Sequence, residues 1–150
     1  MISYNAPDFT RHPPRSPRVK LGGLVHLPRL LDKARAHAAG KIGDYKWNCP
    51  LDQRLCAFLG LDIEAMLAEV RQGRSDTEML AWVAAHSAHK RAPWEIKAWS
   101  EWLTNLAAGN IDRHQMFADE LRKNAPGRED IATFFDRLDL DDYVSFGGRG

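Results

Sequence analysis

His26, Arg29, Lys33 and His37 follow one another at intervals of three, four and four residues, a spacing that aligns side chains along one side of a helix. Arginine and lysine in such a row bind carboxylates and phosphates through charge-assisted hydrogen bonds. Arg15 and Arg18 precede the row in "PPRSPR" and can fold back over the same anion, with Tyr45 and Asn48 beyond it as polar partners. The residues thus suggest an anion site made of Arg15, Arg18, His26, Arg29, Lys33, Tyr45 and Asn48. The simpler alternative is a solvated charged face, with Asp32 and Arg35 paired three residues apart and the remaining cations paired to acids elsewhere.

Cys49, Tyr45 and His26 are the candidates for catalysis. Cys49 falls at the expected start of a helix, where the field of aligned peptide dipoles can activate a thiol. No histidine stands beside it in the sequence, so the default is a small packing residue whose replacement leaves any activity within a few-fold range. Cys49 and Cys56 are seven residues apart, about 10 Å along a helix, which excludes a disulfide between them. With no third cysteine, zinc-ribbon and paired C-x-x-C sites lack their ligands. His86 and His89 lie three apart, with His114 farther on, but Lys90 and Arg91 would repel a cation. The expectation is therefore no metal and no cofactor, and no P-loop, nucleophile elbow or dinucleotide fingerprint is present.

The chain has five tryptophans, and Trp82, Trp94, Trp99 and Trp102 cluster. Trp99 shares a helical stripe with Ile96, Leu103 and Leu106 and is read as core, while Trp94 and Trp102 are candidates for a pocket or a contact between copies, so a homo-oligomer is among the expected partners.

Charge is unevenly placed. Residues 11–35 hold seven basic side chains against one acid, a net of +6, so the rest of this chain of net charge +1 sums to −5. "REDIATFFDRLDLDD" near the end carries six acids and two arginines, and the basic start and acidic end can dock on each other.

The elements that must position these groups follow from punctuation and periodicity. Residues 1–26 form an extended basic arm, since Pro7, Pro13, Pro14 and Pro17 disfavour helix and central strand. Residues 27–150 form the helical domain, and arm and helices together make one domain. Leu27, Leu30, Leu31, Ala34 and Ala38 predict a first helix over about 28–39, stopped by Gly40. Pro50 opens a second helix over about 50–59, closed by Gly60. Asp62 caps a third, ended by Gly73, and Ser75 with Glu78 makes a capping box for a fourth running toward Lys90. Pro93 opens a fifth that runs to Gly109, Asp112 and Gln115 make a capping box for a sixth, and "DIATFFDRL" forms a seventh. With no convincing strand pair, the fold class is all-α: a compact bundle of about seven short helices behind the arm.

"RSPR", "LGG", "LPRLLDKARA", a glycine, a tyrosine and "CPLD", all within residues 15–52, resemble a small bacterial family catalogued as domain of unknown function 5069. "IKAWSEWL" and "IATFFDRLDLDD" extend the resemblance less distinctively to nearly the whole chain. The resemblance implies that the arm belongs to the domain and that the protein is bacterial and intracellular. It implies no reaction.

No apolar run approaches the roughly 20 residues of a membrane helix, and "MISYNAPDFT" lacks the features of a secretory signal. A cytoplasmic protein without membrane contact is expected. Two functions compete: a site, binding or enzymatic, for a small anionic metabolite, which we prefer, and a protein-interaction module using the Pro/Arg arm or basic face. Nucleic acid is the weaker partner, because the pI near 7.9 is low for such a domain and no recognition motif appears.

Overall fold

The computed structural model describes residues 6–150, so the first five residues of the expected arm lie outside the described residues. Seven helices occur among them: α1 (Leu27–Ala38), α2 (Pro50–Leu59), α3 (Ile63–Val70), α4 (Asp76–His86), α5 (Pro93–Thr104), α6 (Ile111–Asn124) and α7 (Phe134–Ser145). The fold is all-α apart from one small hairpin. Strands β1 (Lys20–Leu21) and β2 (Leu24–Val25) pair antiparallel around Gly22 and Gly23, both at positive φ. Two residues per strand leave no alternation to read, which is why the sequence suggests no strand pair.

Most helix starts follow their local signals. Asp62 caps α3 by accepting the backbone N–H groups of Glu64 and Ala65. Ser75 and Glu78 exchange side-chain-to-backbone bonds at the start of α4. Other boundaries differ. α7 begins at Phe134, where the Thr133 side chain caps it by accepting the Asp136 N–H, and runs to Ser145, beyond the expected "DIATFFDRL". α4 stops at His86 because Ser87 turns extended, and its hydroxyl donates to the Val83 carbonyl. α5 stops at Thr104, with no breaker residue to mark it. The cap of α6 is Asn110, whose side chain accepts the Arg113 N–H, so Asp112 lies within the first turn and does not cap.

α1 is the central rod. Leu27, Leu30, Leu31 and Ala34 are fully buried and join residues of α2, α3 and α4 in the largest core cluster, while Val25, Leu103 and Phe135 tie the hairpin, α5 and α7 together in a second. Every residue from Leu27 to Ala36 is buried, including Arg29, Asp32, Lys33 and Arg35. The solvated face offered as the simpler alternative is therefore absent, while its ion pairs are present, Asp32 with Arg35 at 3.6 Å and Arg29 with the acidic end among them. Burying four charges is costly unless each is paired, and each is: Asp32 with Arg15, Arg35 with Asp76, Lys33 with Asp52 and Arg29 with Asp142. The partners come from the arm, α4, α2 and α7, so these pairs clasp the outer elements onto the rod.

Candidate functional site

The arm docks on the acidic end of the chain. Arg18 pairs with Asp136 and Asp139 of α7, and the Ser16 hydroxyl donates to Asp139 at 2.7 Å. Arg15 lies against α1, held by Asp32 at 2.8 Å and Asp76 at 2.7 Å, and its backbone carbonyl accepts from Arg29 at 3.1 Å. The expected convergence of Arg15, Arg18, Arg29 and Lys33 on one anion does not occur: neither Arg15 nor Arg18 lines the cavity into which the other two face. Arg29 reaches the wall but is also a structural group. It is 3% exposed, donates to both oxygens of Asp142 at 2.7 and 3.1 Å, and sits 5.5 Å from the centre of the Tyr45 ring.

That cavity, of about 380 Å³, opens between α1, α2, α6 and α7. His26, Arg29 and Lys33 come from the α1 row, Tyr45, Lys46 and Cys49 from the loop ahead of α2, Arg54 from α2, Arg113 from α6 and Arg137 from α7, with Asp44 and Asp141 as the acids. His37, the last of the row, is exposed and stacks on Trp47 at 5.3 Å. Asn48 is not in the wall; it stands at φ 55 and turns the chain into α2, a backbone that asparagine tolerates better than most residues. A neighbouring cavity of about 310 Å³ shares Asp44, Tyr45 and Asp141 but has no cation in its wall.

The cations in the main cavity differ in their partners. Arg29 and Lys33 are paired as above, and Arg137 donates to Glu120. Lys46, Arg54 and Arg113 form no ion pair with any described residue. Arg54 is placed 5.8 Å from the Trp102 ring. Nothing local in the sequence signals these three, because each is a single basic residue on a different element, and only the packing makes them neighbours.

Below this wall lies a buried cluster. Asp52, fully buried at the third position of α2, accepts from His26 Nε2 at 2.8 Å, from Lys33 Nζ at 2.6 Å and from the Cys49 backbone N–H at 3.1 Å. Burial alone would push its carboxyl up, but the His26 hydrogen bond and the Lys33 charge hold it below the ordinary carboxylate range. Burial, together with the charges of Lys33 and Arg29, pushes His26 below the ordinary imidazole value despite Asp52. At neutral pH the cluster is thus a carboxylate, an ammonium and a neutral imidazole. An ionised carboxylate only accepts, so His26 carries its proton on Nε2 and presents a lone pair at Nδ1. Nδ1 is buried and has no hydrogen-bond partner among the described residues. His26 also adopts a left-handed backbone, φ 68, at the start of α1, a costly conformation for a residue with a side chain and one that collects at functional positions.

Cys49, half-buried, completes the cluster. Lys33 Nζ donates to its sulfur at 3.3 Å, and His26, Cys49 and Asp52 each offer a donor atom within 4.8 Å of the others. Such a set suits a cation, and here the cation is the Lys33 ammonium. Both cysteines are free thiols. His86 hydrogen-bonds the Trp82 carbonyl and stacks on its ring at 4.4 Å, and neither His89 nor His114 joins a donor cluster among the described residues. Tyr45 donates its hydroxyl to Asp142 at 2.8 Å, and burial with that carboxylate pushes its phenol far above the ordinary value, which makes it a positioning donor and a poor base.

The sequence draws attention to Cys49 without a partner, because Lys33 and His26 stand sixteen and twenty-three positions away. Asp52 was hidden within "CPLD", where an acid three positions after a helix cap reads only as a cap.

Among the described residues no helix is long and apolar enough to cross a membrane. No curated protein matches the chain. A family match spans residues 11–144, taking in the arm with Arg15 and Arg18, the cavity wall and Asp142 of α7, so the contacts described above lie within a single family domain, and the chain belongs to the family described as Domain of unknown function (DUF5069).

Proposed function

We propose that the protein binds a small anionic metabolite in the cavity between α1, α2, α6 and α7. The observation that carries this reading is the set of three cations, Lys46, Arg54 and Arg113, which form no ion pair with any described residue on a concave wall where basic side chains outnumber the acids Asp44 and Asp141. Like charges gathered this way repel one another, and an anion in the cavity removes that cost while gaining charge-assisted hydrogen bonds. Binding pockets of this type combine an apolar lining with a few convergent polar groups, and here Leu51, Phe134 and Leu138 supply the lining. The ligand class is a phosphorylated or carboxylated small molecule. A cytoplasmic setting in a bacterium is part of the proposal, supported by the two free thiols.

The competing role, a docking arm for a protein partner, is weakened by the pairing of Arg15 and Arg18 inside the domain. Exposed Trp94 and Trp102 keep a self-contact open as a second surface. The test of the metabolite reading is a thermal-shift screen of phosphorylated and carboxylated metabolites at constant ionic strength. A ligand at a hundred times its Kd stabilises by about 2.7 kcal/mol, and an Arg54→Ala, Arg113→Ala double variant should lose the shift while melting near the wild-type temperature without ligand. A panel in which no anion exceeds the salt control, or a shift that survives in the double variant, would refute it.

A further inference from the structure

The cluster beneath the cavity does more than bind. We propose that Cys49 is a nucleophile that attacks an electrophilic carbon on a small molecule bearing a carboxylate or phosphate, an assignment that rests on the anion-binding reading of the same cavity. Sequence reasoning points the other way, because no partner is visible beside Cys49; the fold brings Lys33 to the sulfur and His26 within 4.8 Å of it.

Three features carry the assignment. First, the sulfur is reachable: Cys49 is half-buried and lines the cavity, whereas Cys56 is buried in the core, where burial pushes its thiol up to about 12. Second, the negative charge of a sulfur nucleophile is met by the Lys33 ammonium at 3.3 Å, and Cys49 stands at the cap of α2, where the field of the helix favours an anion. Asp52 and Lys33 hold each other in place at 2.6 Å, so the ammonium is fixed before any substrate arrives. Third, His26 is 1% exposed and shares the wall, yet its Nδ1 has no partner among the described residues. An acceptor left open at that depth costs stability unless something donates to it, and a hydroxyl or amide of a seated ligand is such a donor.

The step balances simply. Cys49 reacts as the thiolate, its proton having passed to solvent. A sulfur–carbon bond forms as the bond from that carbon to its leaving group breaks, and the leaving group departs with the bonding pair. No electrons are exchanged with an outside oxidant or reductant. The anionic part of the substrate rests against Arg54 and Arg113, which places its carbon near the sulfur.

Alkylation of the folded full-length protein by two reagents separates this proposal from the reading beneath it. Iodoacetamide is neutral and iodoacetate is anionic; both form a sulfur–carbon bond and release iodide. Rates at pH 7 are read for each cysteine by peptide mass, with the same cysteines in the urea-unfolded chain as reference. The expected result is that Cys49 in the folded protein reacts with iodoacetamide at least about tenfold faster than in the unfolded chain, since only a few per cent of an ordinary thiol is ionised at that pH. Cys56 should be protected. The iodoacetate-to-iodoacetamide ratio at Cys49 should exceed that of the unfolded chain several-fold and fall back in the Arg54→Ala, Arg113→Ala variant. Folded Cys49 reacting with iodoacetamide no faster than unfolded Cys49 overturns the nucleophile. Fast reaction with no preference for iodoacetate upholds the nucleophile and overturns the anion pocket. Lys33→Met should abolish the acceleration; should that variant not fold, the folded-to-unfolded ratio in the wild type decides alone.

Discussion

Replacing Asp52 with asparagine keeps the shape of a fully buried side chain and removes its charge. In the wild type this carboxylate is the counter-ion of Lys33, itself 3% exposed, and the acceptor for the His26 N–H. Removing one member of a buried pair typically costs about 3–5 kcal/mol, because the other charge is left uncompensated. Lys33 adjoins the cavity and can recruit water there, so the lower end applies, about 3 kcal/mol. For a chain of this length that corresponds to a fall in Tm of about 6–12 °C. Urea melts of the wild type, Asp52→Asn, Lys33→Met and the double variant measure it. The double variant leaves no charge of this pair buried without its partner and should recover at least half of the loss. The pH dependence has a definite sign: the Asp52 carboxyl lies below its ordinary value of 3.8, so its contribution is fully present above that value and is lost only as pH falls through the lower folded-state value. The gap between wild type and Asp52→Asn should thus stay constant from about pH 5 to 8 and close in stronger acid. An Asp52→Asn protein within about 1 kcal/mol of wild type, or a double variant no better than the single, would show that the pair does not clasp α2 to α1.

Four further outcomes are expected. His26 lies below its ordinary value of 6.5, so the unfolded chain takes up its proton first and stability falls on acidification below about pH 6.5, by at most about 1.4 kcal/mol per pH unit; His26→Asn, which tolerates the left-handed backbone, should flatten that slope in pH-dependent melts, and an unchanged slope would contradict the assignment. Arg29→Ala should cost about 3–5 kcal/mol because it strands buried Asp142, and a stability change under about 1 kcal/mol would return Arg29 to a purely ligand-binding role. Arg18→Ala, which removes an exposed arginine from half-buried Asp136 and Asp139, should cost less than about 1 kcal/mol by the same denaturation assay. Trp99→Ala should cost about 2–4 kcal/mol, below the value for a wholly buried tryptophan, since Trp99 is half-buried and stacked on Phe58 at 4.8 Å; an unchanged Tm would refute its place in the core.

What the sequence determined by itself is local. Pro50 and Gly60 bound α2, Asp62 starts α3, and Ser75 with Glu78 starts α4, because each of these effects is complete within a few residues of backbone. The opposed charges of the two ends were also legible, and Arg18 with Asp136 and Asp139 confirms that they meet. Tertiary structure decided the rest. The row of charges on α1 carries the pattern of an exposed face, yet it is buried, since whether a charged side chain can leave water depends on a partner that the fold brings from elsewhere: Asp52 for Lys33 and Asp142 for Arg29. The same holds for the cavity, whose cations come from the α2 loop, α2 and α6 and become neighbours only when packing sets them around one space. A cysteine beside a helix start is a local feature; a cysteine within reach of a fixed ammonium and a buried imidazole is a property of two chain segments, α1 with its cap and the start of α2, meeting in space, and periodicity along one segment has no means of recording it.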